Sequence, residues 1–395
     1  MNSRMSGEDT GGGRPLRILV NATTVITGGG VQVADSFVGE LANYPEHRFL
    51  VLCSPQVAKS LGDLSDHPEH VRIEACPRIG FFGTLDRLLR RNPKLDALVR
   101  QFRADAVFTV FGPSYWRPQV PHVCGWARGY DIYTDSPFYG LVPPLEKLKL
   151  SLLRKLHRRM FRLDADTLFV ESEDARERLQ RVFPKKRIEV VGNTYHQIFE
   201  HPELQEELPL PPFDGATLLT LSANYPHKNL RIIPSVARYL KEKHPDFRFR
   251  FVVSQPPEVL GLPAAEIPDW LLPLGVVSIR KCPSLYRQST AMFLPTLVEC
   301  FTASYPEAMR MRVPVVTADL SFAHGICGEA AEFFSPMDPA SAGEAIYRVA
   351  TDSGLRARLV AAGTERLQSF DDSRMRARKF IRLIEDAVAR SAGGR

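Results

Sequence analysis

Two carboxylates, Glu299 and Glu307, stand eight positions apart in a segment whose other residues are apolar, hydroxylic or small. Thr302, Ala303 and Ser304 lie between them, and Pro306 immediately precedes the second. A strand-like run at 291–294 comes before this segment and another at 313–317 comes after it. Glu299 therefore falls on the loop at a strand's carboxyl end, and Glu307 at the start of the helix that follows. Pro306 suits the first turn of that helix, where a missing N–H costs nothing. A carboxylate so placed accepts hydrogen bonds from neighbouring hydroxyls, and backbone N–H groups leading into a helix N-terminus suit a pyrophosphate. Two acids at a helix start also have a plainer explanation, a solvated turn stabilised by the helix dipole.

Other residues could join such chemistry. Lys228 follows the apolar run 216–221, on the loop between a strand and a helix; a single lysine elsewhere is usually surface. Thr27, Gly28, Gly29 and Gly30 open a helix-spaced stretch at 31–41. Glycines there let backbone N–H groups approach a phosphate or sugar, or simply make a tight turn. The spacing is not that of a dinucleotide site. The stretch 121–133 places Arg128, Tyr130 and Asp131 after a candidate strand, as side chains for a second substrate or as an ordinary loop. Asp164 and Asp166 precede the buried run 167–170 instead of following one, so we read them as a chance pair at a helix–strand junction. No set of acids or histidines has metal-ligand spacing, and neither metal nor cofactor is expected.

The elements that must position these groups alternate between strand and helix. Apolar runs at 17–21, 49–53, 106–110, 121–125, 167–171 and 187–191 are separated by helical stretches, the pattern of a parallel sheet covered on both faces. Ser172 can cap the helix after the fifth run. Residues 201–215 carry four prolines and several acids without periodicity, as a linker does. Strand-like runs resume at 216–221, 249–253, 276–277, 291–294 and 313–317, and helical segments at 352–368 and 373–389 end the chain. Two doubly wound halves have their ligands outside the carboxyl ends of the strands, so both can face one cleft. The organisation expected is a disordered leader at 1–15, an acceptor-side domain at 16–200 and the linker at 201–215. A ligand-binding domain at 216–370 and a closing helix at 371–395, a candidate for packing back on the first domain, complete it.

Composition narrows the class. A chain of 395 residues with 44% hydrophobic content fits two domains, and no stretch approaches the ~20 apolar residues of a membrane span. Its first residues lack the apolar core of a signal peptide, which points to the cytoplasm. Six scattered cysteines read as reduced thiols. The net charge of +6 is too modest to argue for nucleic acid. Basic residues nevertheless concentrate at 87–94 and 147–162, where Leu153, Leu156, Met160 and Leu163 recur at helical spacing. That amphipathic basic helix either turns its apolar face to the core or lies on a membrane surface.

The order Pro295, Glu299, Phe301, Glu307, Ala308, Met309, Pro314, with Gly328 and Asp338 downstream and His227, Lys228 and Asn229 upstream, closely resembles the signature of family 4 retaining glycosyltransferases of GT-B fold. The resemblance implies two Rossmann-like domains facing each other across a cleft, an α/β architecture. It implies that Glu307 binds the ribose hydroxyls of a nucleotide and Glu299 contacts the donor sugar. The backbone around Thr302, Ala303 and Ser304 would lie against the diphosphate, and Lys228 would neutralise it as it leaves. Glu299 and Lys228 would thus be catalytic, while Gly29 and Gly30 would face the donor from the other domain. Many relatives carry an arginine shortly before the lysine; here Asn224 can donate hydrogen bonds to a phosphate but adds no charge. Many also place a His-Asp pair where this chain has Ala127 and Arg128.

The expected reaction is sugar transfer from a nucleotide diphosphate to a hydroxyl with retention, in bacterial surface polysaccharide or lipopolysaccharide assembly. The partners implied are a nucleotide-sugar donor, a glycan or lipid-linked glycan acceptor and an anionic membrane surface, without nucleic acid. The location implied is the cytoplasm, with peripheral association at the inner face of the membrane. A non-catalytic sugar-nucleotide-binding scaffold, a nucleotide-sugar epimerase and a phosphorylase on the same plan are the alternatives.

Overall fold

The computed structural model describes residues 14–26, 28–64, 67–76 and 90–393. Most of the expected leader and Thr27 lie outside them, as do residues 87–89 of the basic stretch 87–94. Strands β1 (Arg17–Ala22), β2 (Arg48–Cys53), β3 (Val71–Ala75), β4 (Ala106–Thr109), β5 (His122–Gly125), β6 (Thr167–Val170) and β7 (Arg187–Val190) form one sheet. Its order is β3-β2-β1-β4-β5-β6-β7, and every pairing is parallel. Helices α1 (Gly29–Glu40), α2 (Pro55–Leu61), α3 (Pro93–Phe102), α4 (Gly129–Ile132), α5 (Phe138–Leu141), α6 (Pro144–Asp164) and α7 (Glu173–Val182) flank it. The central strands are apolar and fully buried because helices cover both faces.

The second sheet has the order β10-β9-β8-β11-β12-β13, again all parallel. Its strands are β8 (Ala216–Thr220), β9 (Phe249–Val253), β10 (Leu271–Pro273), β11 (Ala291–Leu294), β12 (Val315–Ala318) and β13 (Ala331–Phe334). Helices α8 (Ile233–Lys243), α9 (Cys282–Arg287), α10 (Ser304–Arg310), α11 (Ser321–Cys327), α12 (Pro339–Thr351) and α13 (Ser353–Leu367) surround it. The strand expected at 276–277 is absent: β10 ends at Pro273, Gly275 takes a φ of +66°, and Val276 is exposed. Two valines are too short a run to hold a strand once glycine turns the chain.

The chain then returns to the first half. Helix α14 (Ser373–Gly393) buries Phe380 against Phe108 and Phe169 of the first sheet, with ring centroids 4.9 and 4.7 Å away. Residues 206–210 of the expected linker run along α9, where Leu208 N–H donates to Ser284 Oγ at 3.0 Å and Leu210 N–H to Gln288 Oε1 at 2.8 Å. A core shared by both halves closes one side of the cleft, with Tyr133 edge-on to Phe322 at 5.8 Å.

Helix α6 departs from the face its spacing suggested. Leu153 and Leu156 are exposed and only Met160 of that set is buried, whereas His157 and Phe161 turn inward. The docked side is decided by the pairing of Arg154 and Arg158 with groups on α4 and α5, not by leucine spacing alone.

Candidate functional site

Loops beyond the carboxyl ends of β1, β4, β5, β6, β7, β8, β9 and β11 converge on one cleft of about 1170 Å³. Parallel strands aim all their carboxyl ends the same way, so two such sheets facing each other gather these loops into a single site. Gly29, Gly30, Arg128, Tyr130, Asn224, Lys228, Glu299, Thr302, Ala303, Ser304 and Glu307 all line it. Asp131 does not. Its carboxylate is buried, where it accepts from Arg128 Nε at 2.8 Å and faces His157 Nδ1 at 3.3 Å. Burial opposes its ionisation, but His157 and Arg128 together hold its pKa below the ordinary value. Asp131 thus braces Arg128 and is not itself a cleft group.

On the C-terminal side, Lys228 ends a short 3₁₀ turn, Pro226–Lys228, and Asn229 follows in the left-handed conformation at φ +54°. This tight turn directs the ammonium onto Glu299 Oε1, which also accepts from Thr296 Oγ1 at 2.8 Å. Both members of the pair are largely buried. Leu297 N–H donates to the His227 carbonyl at 2.8 Å, locking the two loops together. Glu307 sits inside α10, buried, with the Tyr286 hydroxyl 3.2 Å from Oε2. Burial pushes its pKa up to about 7, and the tyrosine hydrogen bond partly offsets this. His227 stacks on Tyr225 and hydrogen-bonds the Tyr130 hydroxyl across the cleft; burial lowers its pKa to about 4.

On the N-terminal side, Gly28 at φ +59° starts α1 without a side-chain cap, leaving its first turn bare toward the cleft. Gly129 allows the halves to touch: a Cβ there would sit 2.6 Å from Val298 Cγ1. Arg128 and Lys228 are the lysine and arginine side chains among the described residues lining the cleft, one from each half.

Sequence reasoning overlooked Glu171 and Asn193. Glu171 directly follows β6 and lines the cleft, where Oε1 accepts from Asn193 Nδ2 at 2.7 Å. Arg376 of α14 bonds Asn193 Oδ1 and Ser36 Oγ. Burial raises the Glu171 pKa to about 7 despite Arg376 and Asn193, and Glu299 adds to the rise. A carboxylate at a strand's carboxyl end was the available signal. His122, by contrast, is a core residue inside β5, bonded to Thr109 Oγ1 and the Asp164 carbonyl, each at 2.8 Å. Asp166 accepts from the His122 N–H at 2.9 Å, so the Asp164–Asp166 pair is structural. Among the described residues, no cluster of three or more histidines, cysteines or acids could hold a metal ion.

Two family models match the chain. One described as Glycosyltransferase Family 4 covers residues 27–196, and one described as Glycosyl transferases group 1 covers residues 215–352. No curated protein matches it. Among solved structures, sucrose-phosphate synthase from Thermosynechococcus elongatus superposes with a TM-score of 0.68 at 15% identity, covering 95% of this chain and 100% of that one. HepE from Anabaena, solved in complex with UDP and glucose, gives 0.63 at 16% identity over 95% and 99%. WaaG, described as a glycosyltransferase involved in lipopolysaccharide biosynthesis, gives 0.63 at 13% identity over 93% and 99%. At these identities the likeness is one of fold, two Rossmann-like domains in the GT-B arrangement.

Proposed function

The chain belongs to the family 4 glycosyltransferases of GT-B fold, and we propose that it moves a sugar from a nucleoside diphosphate to a hydroxyl with retention at the anomeric carbon. The observation that carries this reading is the convergence of Lys228, Glu299 and Glu307 on one side of the cleft, each at the carboxyl end of a strand or in the helix after it. Glu307 accepts hydrogen bonds from the two ribose hydroxyls, and Glu299 from hydroxyls of the transferred sugar. The backbone at Thr302, Ala303 and Ser304 cradles the diphosphate, whose charge Lys228 offsets from one side and Arg128 from the other. Asn224, Gly29 and Gly30 add neutral donors around it. The reaction needs no metal in this scheme.

Retention follows from front-face attack. The bond from the anomeric carbon to the phosphate oxygen breaks as the acceptor oxygen bonds to the same face. The acceptor's proton passes to the departing diphosphate, so the protein's task is to position the reactants and stabilise negative charge. Tyr130 and Arg128 stand where an acceptor would enter. A glycan or lipid-linked glycan acceptor at the inner face of the bacterial membrane, in surface polysaccharide or lipopolysaccharide assembly, fits this cleft; HepE with UDP and glucose and WaaG share its fold.

A thermal-shift screen of UDP-, GDP- and dTDP-sugars, followed by turnover assays, tests the reading. One donor class should stabilise the protein, Glu307→Ala should weaken that binding, and Glu299→Ala should lower turnover. Full activity of the Glu307→Ala, Lys228→Ala double variant would overturn the assignment, and conversion of the donor without any acceptor would point to an epimerase.

A further inference from the structure

We propose that the outer face of α6, with Leu141 just ahead of it, lies on an anionic phospholipid bilayer. Leu145, Leu148 and Leu152 are 78%, 57% and 58% exposed, and Leu141 is 48% exposed. Leu145, Leu148 and Leu152, spaced three and four apart, fall in a line along α6, pointing away from the face that Phe161 and His157 bury, and Leu141 ends α5 two residues before α6 begins. The inner side is already engaged: Arg154 Nη2 donates to the Tyr139 hydroxyl at 3.1 Å, and Arg158 bonds the Asp131 carbonyl. α6 is thus apolar on two opposite sides, and among the described residues only one of them is covered.

Charge selects the occupant. Lys147, Lys149, Lys155, Arg159 and Arg162 are exposed around and beyond the leucine line. The exposed acid of the helix, Glu146, lies 3.6 Å from Lys149. Lys147, Lys155, Arg159 and Arg162 have no acidic partner within 4.0 Å among the described residues. Leucines rimmed by lysine and arginine suit acyl chains beneath anionic headgroups. A protein partner suits them less, because interface centres are poor in lysine. A second copy would bring like-charged rims together. No described helix is long and apolar enough to cross a membrane, so the helix would lie in the interfacial plane.

The location has a consequence for the cleft. Tyr139, held by Arg154, donates its hydroxyl to the Tyr130 carbonyl, and Tyr130 lines the cleft. The inner side of the lipid-facing helix therefore supports the wall where the acceptor would enter. That placement rests on the transferase reading; lipid binding itself does not, and each can fail without the other.

Sedimentation of the full chain with vesicles of phosphatidylglycerol and phosphatidylethanolamine, beside vesicles of phosphatidylcholine alone, tests the proposal. The protein should pellet with the anionic vesicles at low salt, stay in the supernatant with the neutral ones, and dissociate as salt rises. Leu145→Glu with Leu152→Glu should weaken binding by about 100-fold. Both positions are exposed, so the variant should keep its melting temperature and its response to nucleotide. Wild-type protein left in the supernatant with anionic vesicles would overturn the proposal, as would a variant that pellets equally well. A wild-type dimer that the double variant dissociates, with neither form pelleting, would assign the face to a second copy instead.

Discussion

Replacing Glu307 by glutamine should make the protein more stable in mild alkali while loosening its hold on a nucleotide. Burial raises the Glu307 pKa from 4.5 to about 7. Between those values the folded state holds more protons than the unfolded chain, so this group's contribution to stability falls as pH rises through the window. Near pH 8 the penalty for its ionisation amounts to about 3 kcal/mol, at roughly 1.4 kcal/mol per pKa unit; near pH 5 it is below about 1 kcal/mol. Glutamine keeps the length of the side chain and an oxygen for the Tyr286 hydroxyl, now 3.2 Å from the carboxylate. It carries no charge to desolvate. Denaturant unfolding should therefore show a gain of about 1–3 kcal/mol near pH 8, fading toward pH 5. The same change replaces a charge-assisted acceptor pair with one neutral acceptor and one donor. The loss of about 1.5–3 kcal/mol would weaken a nucleoside diphosphate's Kd by roughly tenfold to hundredfold, readable by calorimetry with UDP and GDP. A variant less stable at both pH values, or one with unchanged nucleotide affinity, would refute the reasoning.

Three further outcomes follow from the cleft. Ribose hydroxyls are best accepted by ionised Glu307, so nucleotide binding near neutrality should release part of a proton, and affinity should fall below pH 7 by up to about tenfold per unit. Binding heats that do not change with the buffer's ionisation enthalpy would count against this. Lys228→Met leaves Glu299 buried without its cation and should cost about 3–5 kcal/mol in stability and about 10²–10³ in kcat; adding Glu299→Gln should recover the stability in denaturant melts but not the turnover. Gly129→Ala forces a Cβ to within 2.6 Å of Val298 Cγ1 and should reduce turnover by holding the halves apart. Val298→Ala in the same chain should restore it, and equal activity of Gly129→Ala and wild type would show that the contact does not matter.

Much of the fold was legible because central parallel strands are buried on both faces and read as unbroken apolar runs, as at 17–21 and 216–221. Edge strands were harder. In β3, Val71 is buried while Arg72 is exposed, so no apolar run marks it. β10 has only three residues, and Val276 and Val277, just past it, imitate a strand. The segment from Glu299 to Glu307 was readable since strand, loop, proline and helix are local features. The pairing of Lys228 with Glu299 joins residues 71 positions apart, and Arg376 reaches Asn193 over 183. No spacing in the sequence encodes such meetings; only the packing of one element on another creates them. The buried side of α6 was unreadable for the same reason. Leucines recur on more than one side of that helix, and Tyr139 and Asp131 decide which of them faces inward.

The central claim is tested most directly by following the anomeric carbon. The protein would be incubated with an anomerically pure nucleotide-sugar labelled with ¹³C at C1, drawn from the donor class that stabilises it, together with a hydroxyl acceptor. NMR would record the first product formed. The account predicts release of the nucleoside diphosphate and a new C1–O bond with the donor's own anomeric configuration, both lost in the Glu307→Ala, Lys228→Ala variant. An inverted product, or an unaltered signal from that variant, would contradict it.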